Sequence, residues 1–142
     1  MRKTTWWLVC ACLTVTIVGS ASAQPTSEPE RAVELFFSGL KTGQVDTALA
    51  RIARGSVLAD KQQQLKVLEN QIGTALSLYG TPIAEEKVFR EPMGESILRL
   101  VYLQKFEHLP LVWEFHFYRA RSRWMLINIQ FNDQLDLLEK DT

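Results

Sequence analysis

Apolar residues recur at helical spacing in the first half of the chain and alternate with polar residues in the second half. The first helix is predicted to run from Ser27, which forms a capping-box pattern with Glu30, to about Gly43. A second, shorter helix is predicted for about residues 46–53. The first helix has an apolar stripe that needs a partner, formed by Val33, Phe36, Phe37 and Leu40.

A third helix is predicted to begin after Asp60, a good N-cap residue, and to end at the turn residues 80–82. Coiled coils have similar spacing, but this run is shorter than about three heptads. We therefore interpret the segment as a core helix with one solvated face. Its apolar series comprises Leu65, Leu68, Ile72, Leu76 and Tyr79.

From residue 84 the apolar period shortens toward two, and turn residues appear at intervals of about a strand length. Four strands are predicted, over residues 84–90, 95–106, 111–119 and 123–131. Connections this short make consecutive strands antiparallel neighbours. The predicted fold class is therefore α+β, with N-terminal helices packed on a curled antiparallel meander. Residues 134–140 form either a helical turn or a frayed tail.

The second hairpin decides which residues share a face of the sheet. If residues 107–110 close it, Phe106 lies opposite Leu111 and Leu100 lies opposite Phe117. The bulkier face then packs on the helices. A small apolar ligand could occupy a pocket there, and a packed core remains the other interpretation. The residues predicted to line the pocket are Tyr102, Trp113, Phe115, Phe117, Asn128 and Gln130.

The opposite face of the sheet is also rich in apolar side chains, which is typical of a partner surface. We therefore predict a homodimer interface on this face. The alternative is that the C-terminal tail or a strong curl of the sheet covers it, and a bulge in the fourth strand would exchange that strand's faces. The predicted dimer residues are Arg99, Glu114, His116, Tyr118, Ile127 and Ile129.

The first 23 residues have the composition of a secretory signal peptide. Arg2 and Lys3 precede an apolar run over residues 6–18, and residues 21–23 read Ala-Ser-Ala. The run is too short for a membrane span of about 20 residues, and Cys10 and Cys12 come too early for a lipoprotein box. We predict export to the periplasm or beyond, with a tether at 24–29, a domain at 30–142 and no membrane span after cleavage.

Cleavage would change the charge and the thiol content. The full chain has 16 basic and 16 acidic side chains, and loss of residues 1–23 would leave 14 basic against 16 acidic residues and no cysteine. Nucleic acid is therefore an unfavourable partner, because phosphate binding needs clustered Lys and Arg. No disulfide, cofactor or metal site is predicted, since the cleaved chain has no thiol and only two His, and its carboxylates lack metal-ligand spacing.

The order of elements and two loose motifs resemble the NTF2-like superfamily. The motifs are FFSGLKTGQVDTALARI at the end of the first helix and RWMLINIQFND in the last strand, and the resemblance covers about residues 28–133. It implies an NTF2-like or cystatin-like cone with a cavity between sheet and helices, and frequent dimerisation through the outer sheet face. The superfamily hosts enzymes beside non-catalytic binding modules, so fold alone does not settle function.

Candidate chemistry is sparse. Glu114, His116 and Tyr118 alternate on one strand, with Arg99 predicted opposite Tyr118, but they fall on the outer face. Nothing matches the acid, base and tyrosine set of ketosteroid isomerase. The sequence therefore predicts an exported, non-enzymatic domain that binds a small apolar ligand or an envelope protein. The alternative is a cofactor-free lyase or isomerase with an acid or base in the cone.

Overall fold

The computed structural model describes residues 27–138 of the chain. Three helices, α1 (Glu28–Lys41), α2 (Val45–Ile52) and α3 (Gln62–Tyr79), precede four strands. The strands are β1 (Ala84–Met93), β2 (Ile97–Lys105), β3 (Leu111–Tyr118) and β4 (Met125–Asn132), and a short 3₁₀ helix follows at Leu135–Leu138. The predicted α+β class is confirmed. The predicted signal peptide lies outside the described residues.

Helix α1 begins where its sequence predicts. The Glu30 carboxylate accepts a hydrogen bond of 2.9 Å from the Ser27 backbone N–H, as in a capping box. Residues 28 and 29, which were assigned to the tether, are helical, because proline fits the first turn of a helix. The N-cap of α3 is Lys61 rather than Asp60, and no side chain caps it.

The sheet has the order β1-β2-β3-β4, and each neighbouring pair is antiparallel. We call the face toward the helices the inner face and the opposite one the outer face. Leu100 pairs with Phe115 and Gln104 with Leu111, so the predicted register between β2 and β3 is wrong by two residues. The shift arises because Phe106 belongs to a longer loop instead of the ladder. Since the shift is even, the side chains of β2 and β3 stay on their predicted faces.

A bulge in β4 corrects the predicted faces of that strand. Leu126 pairs with Phe117, but Asn128 pairs with His116, so Ile127 has no partner in the ladder. An extra residue in one strand reverses the alternation beyond it. Ile129 and Phe131 therefore lie on the inner face and pack against the core, while Asn128 and Gln130 pair with residues of the outer face.

The core lies between α1, α2 and the inner face of the sheet. Phe36 and Phe37 of α1 contact Trp113 and Phe115 of β3 at ring-centroid distances of 5.3–5.8 Å. Three ion pairs join α1 to the edge strand β1, from Lys41 to Glu85 and from Lys87 and Arg90 to Glu30. Helix α1 is thus fixed over the sheet by both apolar packing and charge.

Candidate functional site

The predicted cone pocket is occupied by packed side chains. Tyr102, Trp113, Phe115 and Phe117 are 6%, 1%, 0% and 3% exposed. Trp113 stacks on Phe131 with ring centroids 4.7 Å apart, a contact that the bulge in β4 makes available. The four inner-face aromatics that were assigned to a pocket therefore lie in the packed core.

Two polar side chains lie within this core. The Trp113 indole donates a hydrogen bond of 2.9 Å to the Gln104 side-chain oxygen, so the buried amide is partly satisfied. Burial, reinforced by the negative charges of Glu30 and Glu34, raises the pKa of Tyr102 to about 12. Tyr102 therefore stays neutral at physiological pH and is not a proton donor of useful strength there.

An open groove lies elsewhere, between α3 and β4. Helix α3 was predicted as a core helix, but only Ile72 and Ala75 of its 18 residues are buried. Val67 and Leu78, which lie three helical turns apart on one face, are 53% and 73% exposed. Helix α3 is therefore separated from the end of the sheet. Some residues of its apolar series contact the core, and others line this groove.

The groove, which we call the α3–β4 groove, has a volume of about 690 Å³. Its α3 wall includes Val67, Leu68 and Leu78, and its β4 wall includes Ile129 and Phe131. A smaller groove of about 430 Å³ shares Val67, Leu68 and Ile129 and continues the first toward the loop before α3. Apolar walls with a few polar groups are typical of small-ligand sites.

Polar groups border the groove at its rims. Gln130 borders the larger groove and Asn128 the smaller one, so two of the six predicted pocket residues do lie beside a cavity, though on the β4 edge. At one end the Tyr79 hydroxyl donates a hydrogen bond of 3.2 Å to Asp133. Desolvation and the bond to Asp133 raise the pKa of Tyr79. This end of the groove therefore offers a hydroxyl and a carboxylate.

The outer face carries a charged network. Arg99 lies opposite His116, not opposite Tyr118 as predicted, because of the two-residue register shift. Arg99 Nε contacts Glu114 Oε1 at 3.1 Å, and His116 Nε2 lies 3.2 Å from the same oxygen. Glu91 joins this network at 3.0 Å from Arg99. Tyr118 lies at the edge of this face and is 38% exposed.

The apolar surface that is available for the predicted homodimer is smaller than the sequence indicates. Val101 and Val112 are 1% and 0% exposed, and Ile129 faces inward. These three apolar side chains are therefore not accessible to a partner. Ile127 and Tyr118 remain exposed at 38% each. Homodimerisation stays a prediction, and a monomer mass in light scattering at tens of micromolar would contradict it.

The sequence did not reveal the groove, although one signal in it was available. Val67 and Leu78 are apolar residues of α3 that lie outside its predicted apolar series, and both are exposed. Exposed apolar residues that recur on one helix face form a patch, and such patches are typical of binding surfaces. In residues 27–138, no three His, Cys, Asp or Glu side chains come together as a metal site, and no helix has the length and hydrophobicity of a membrane span.

The chain is similar in structure to a known protein. Neither a protein-family model nor a curated protein matches the chain. Among solved structures, the chain is similar to a cystatin-like protein from Ruminococcus gnavus, with 16% sequence identity and a TM-score of 0.47. The match covers 99% of this chain and 50% of that one, so the chain spans about half the length of its neighbour. Membership of the NTF2-like superfamily stays a prediction.

Proposed function

We propose that the protein is an exported, non-enzymatic domain of NTF2-like type whose α3–β4 groove binds a small apolar ligand. The observation that carries this proposal is the groove itself, with Val67, Leu68 and Leu78 facing Ile129 and Phe131 across about 690 Å³. That volume is in the range of sites for drug-sized molecules. Covering these side chains removes apolar surface from water, which favours binding by about 25 cal/mol per Å².

The rim of the groove restricts the type of ligand. Asn70, Thr74 and Gln130 offer amide and hydroxyl groups along the sides, and Asp133 offers a carboxylate at the end. A molecule with an apolar body and one hydrogen-bonding end fits this arrangement, because its polar group can remain at the rim. A strongly anionic end is disfavoured beside Asp133.

Binding of a neutral fluorescent naphthylamine probe tests this proposal. Thr74 lines the groove and is exposed, so Thr74→Trp fills the groove without disturbing the core. We expect this substitution to weaken probe binding about tenfold or more, equivalent to about 1.4 kcal/mol. Fluorescence titration of the wild type and the variant measures the change.

Ser77→Trp is the matched control for this experiment. Ser77 is also exposed on α3, and its hydroxyl, like that of Thr74, bonds the carbonyl four residues earlier, but it does not line the α3–β4 groove. Probe affinity should change less than about twofold in this variant. Equal losses in both variants would contradict the groove as the site. Native mass spectrometry of protein recovered from an export host should also detect a retained ligand.

The enzymatic alternative has less support. A lyase or isomerase needs an acid or base beside a cavity that excludes water. Beside the core, burial raises the pKa of the Tyr102 hydroxyl to about 12, and the bond from Lys87 helps to lower the pKa of the buried Glu30 carboxyl to about 2, so neither group exchanges protons near neutral pH. The carboxylate of the α3–β4 groove, Asp133, is exposed to solvent. Binding without catalysis is therefore the function that we propose.

A further inference from the structure

Basic side chains gather at one end of the molecule, which we call the arginine end. The turn between β3 and β4 carries Arg119, Arg121 and Arg123, and a side-chain hydrogen bond of 3.5 Å joins Arg123 to the carbonyl of Arg54 in the loop after α2. The guanidinium of Arg123 also occupies the space where a Cβ of Gly55 would lie. The contact joins this turn of three arginines to the loop after α2.

Several cations of the chain are paired with carboxylates, unlike these arginines. Lys41, Lys87, Arg99 and Lys105 each make an ion pair with a carboxylate. Within residues 27–138, the arginines of the arginine end make no ion pair. Arg119 instead donates to the carbonyl of Glu95 at 3.0 Å and lies 4.8 Å from the ring centre of Trp124. Their charge is therefore available to an external anion.

The neighbouring part of the outer face is apolar. Met93, Ile97, Tyr118 and Met125 are consecutive cross-strand partners and form a row across all four strands. Met93 is 51% exposed and Tyr118 38% exposed, and Arg119 follows Tyr118 directly. In the adjoining β1–β2 turn, Glu95 is the acidic residue beside these arginines. An exposed apolar row thus borders a surface with more positive than negative charge.

We propose that the arginine end and this apolar row dock on a membrane surface that carries anionic phospholipids. Guanidinium groups form paired hydrogen bonds with phosphate oxygens. Each basic residue near the surface is also attracted appreciably to an anionic bilayer. Tyrosine and tryptophan favour the headgroup region, where one side of the ring meets hydrocarbon and its polar group meets water. A nucleic acid would use the arginines but would leave the apolar row exposed.

Co-sedimentation of the protein with lipid vesicles tests this proposal. We expect binding to phosphatidylcholine vesicles that contain about 30% phosphatidylglycerol, and much weaker binding to pure phosphatidylcholine. High salt should reduce the binding, because exposed charges are screened. Arg121 is exposed in the turn, so Arg121→Gln should lower the partition coefficient about fivefold, and replacing Arg119, Arg121 and Arg123 together by Gln should lower it about a hundredfold.

Lys105→Gln is the matched control, because it removes one positive charge, as Arg121→Gln does. Lys105 lies at the opposite end of β2 and makes an exposed ion pair with Glu86, so its loss should leave vesicle binding unchanged. Circular dichroism of each variant verifies that it folds. Equal binding to both vesicle types, or an equal effect of the Lys105 and Arg121 variants, would overturn the proposal.

Two further measurements separate membrane docking from its competitors. Inorganic phosphate should not compete with the vesicles at millimolar concentration, and competition there would identify a free-anion site instead. A duplex oligonucleotide that binds more tightly than the vesicles, or a stable dimer that buries Tyr118, would also overturn the proposal. These experiments use neither the α3–β4 groove nor its ligand, so their outcome is independent of the proposed function.

Discussion

Trp113→Ala is expected to lower the free energy of unfolding by about 3–5 kcal/mol, which is the usual cost of removing a large buried aromatic side chain. Trp113 is 1% exposed and its ring lies 4.7 Å from Phe131 and 5.3 Å from Phe36, centre to centre. Its loss also leaves the Gln104 amide without its hydrogen-bond donor. Denaturant unfolding with a constant m value measures the effect.

Trp124→Ala is the matched control for this substitution. Trp124 is partly exposed and contacts Arg119 through a cation–π interaction, which contributes about 0.5–1 kcal/mol at exposed sites. A loss below about 1 kcal/mol for Trp113→Ala would contradict a filled core. Such a result would instead favour the cone pocket, which is one of the two alternatives that the sequence predicts.

The pH dependence of stability is expected to show the second-largest effect, through Glu30. Burial alone would raise the pKa of the Glu30 carboxyl, but hydrogen bonds from Lys87 and Ser27 outweigh it and lower the pKa to about 2, from an ordinary value of 4.5. The contribution of Glu30 is therefore complete above about pH 4.5 and is lost as the pH falls toward 2. It amounts to about 3 kcal/mol.

Unfolding of the wild type and of Glu30→Gln between pH 7 and pH 2 measures this contribution. The variant should be less stable at pH 7 and should lose about 3 kcal/mol less than the wild type on acidification. Glu34→Gln, an exposed change one turn later on α1, serves as the control and should keep the wild-type dependence. Parallel curves for the wild type and Glu30→Gln would show that the Lys87–Glu30 pair adds no stability.

Local patterns predicted the elements well because each depends on neighbours in sequence. The capping pattern of Ser27 and Glu30 placed the start of α1, and alternation placed all four strands. The register of β2 and β3 failed by two residues because it depends on the length of the loop after Lys105, which composition does not specify. The faces survived that error, because an even shift preserves them.

The candidate site was harder to predict because it depends on tertiary geometry. The apolar series of α3 gives no information on whether Leu68 meets the core or a groove, since either environment satisfies it. The bulge at Ile127 likewise has no glycine to mark it. It moved Ile129 and Phe131 inward, and Phe131 is now part of both the core and the groove wall.

The bulge in β4 also bears on how the chain can change in length. Without Ile127, the strand would read Leu126, Asn128, Ile129, Gln130 and Phe131 in succession, which is an unbroken alternation of inward and outward residues. Ile127 is therefore equivalent to a one-residue insertion that the sheet absorbs by bending locally. Loss of Asn128 would restore the same alternation, with Ile127 in the outward position, so homologous chains that lack either residue should keep the same inner face.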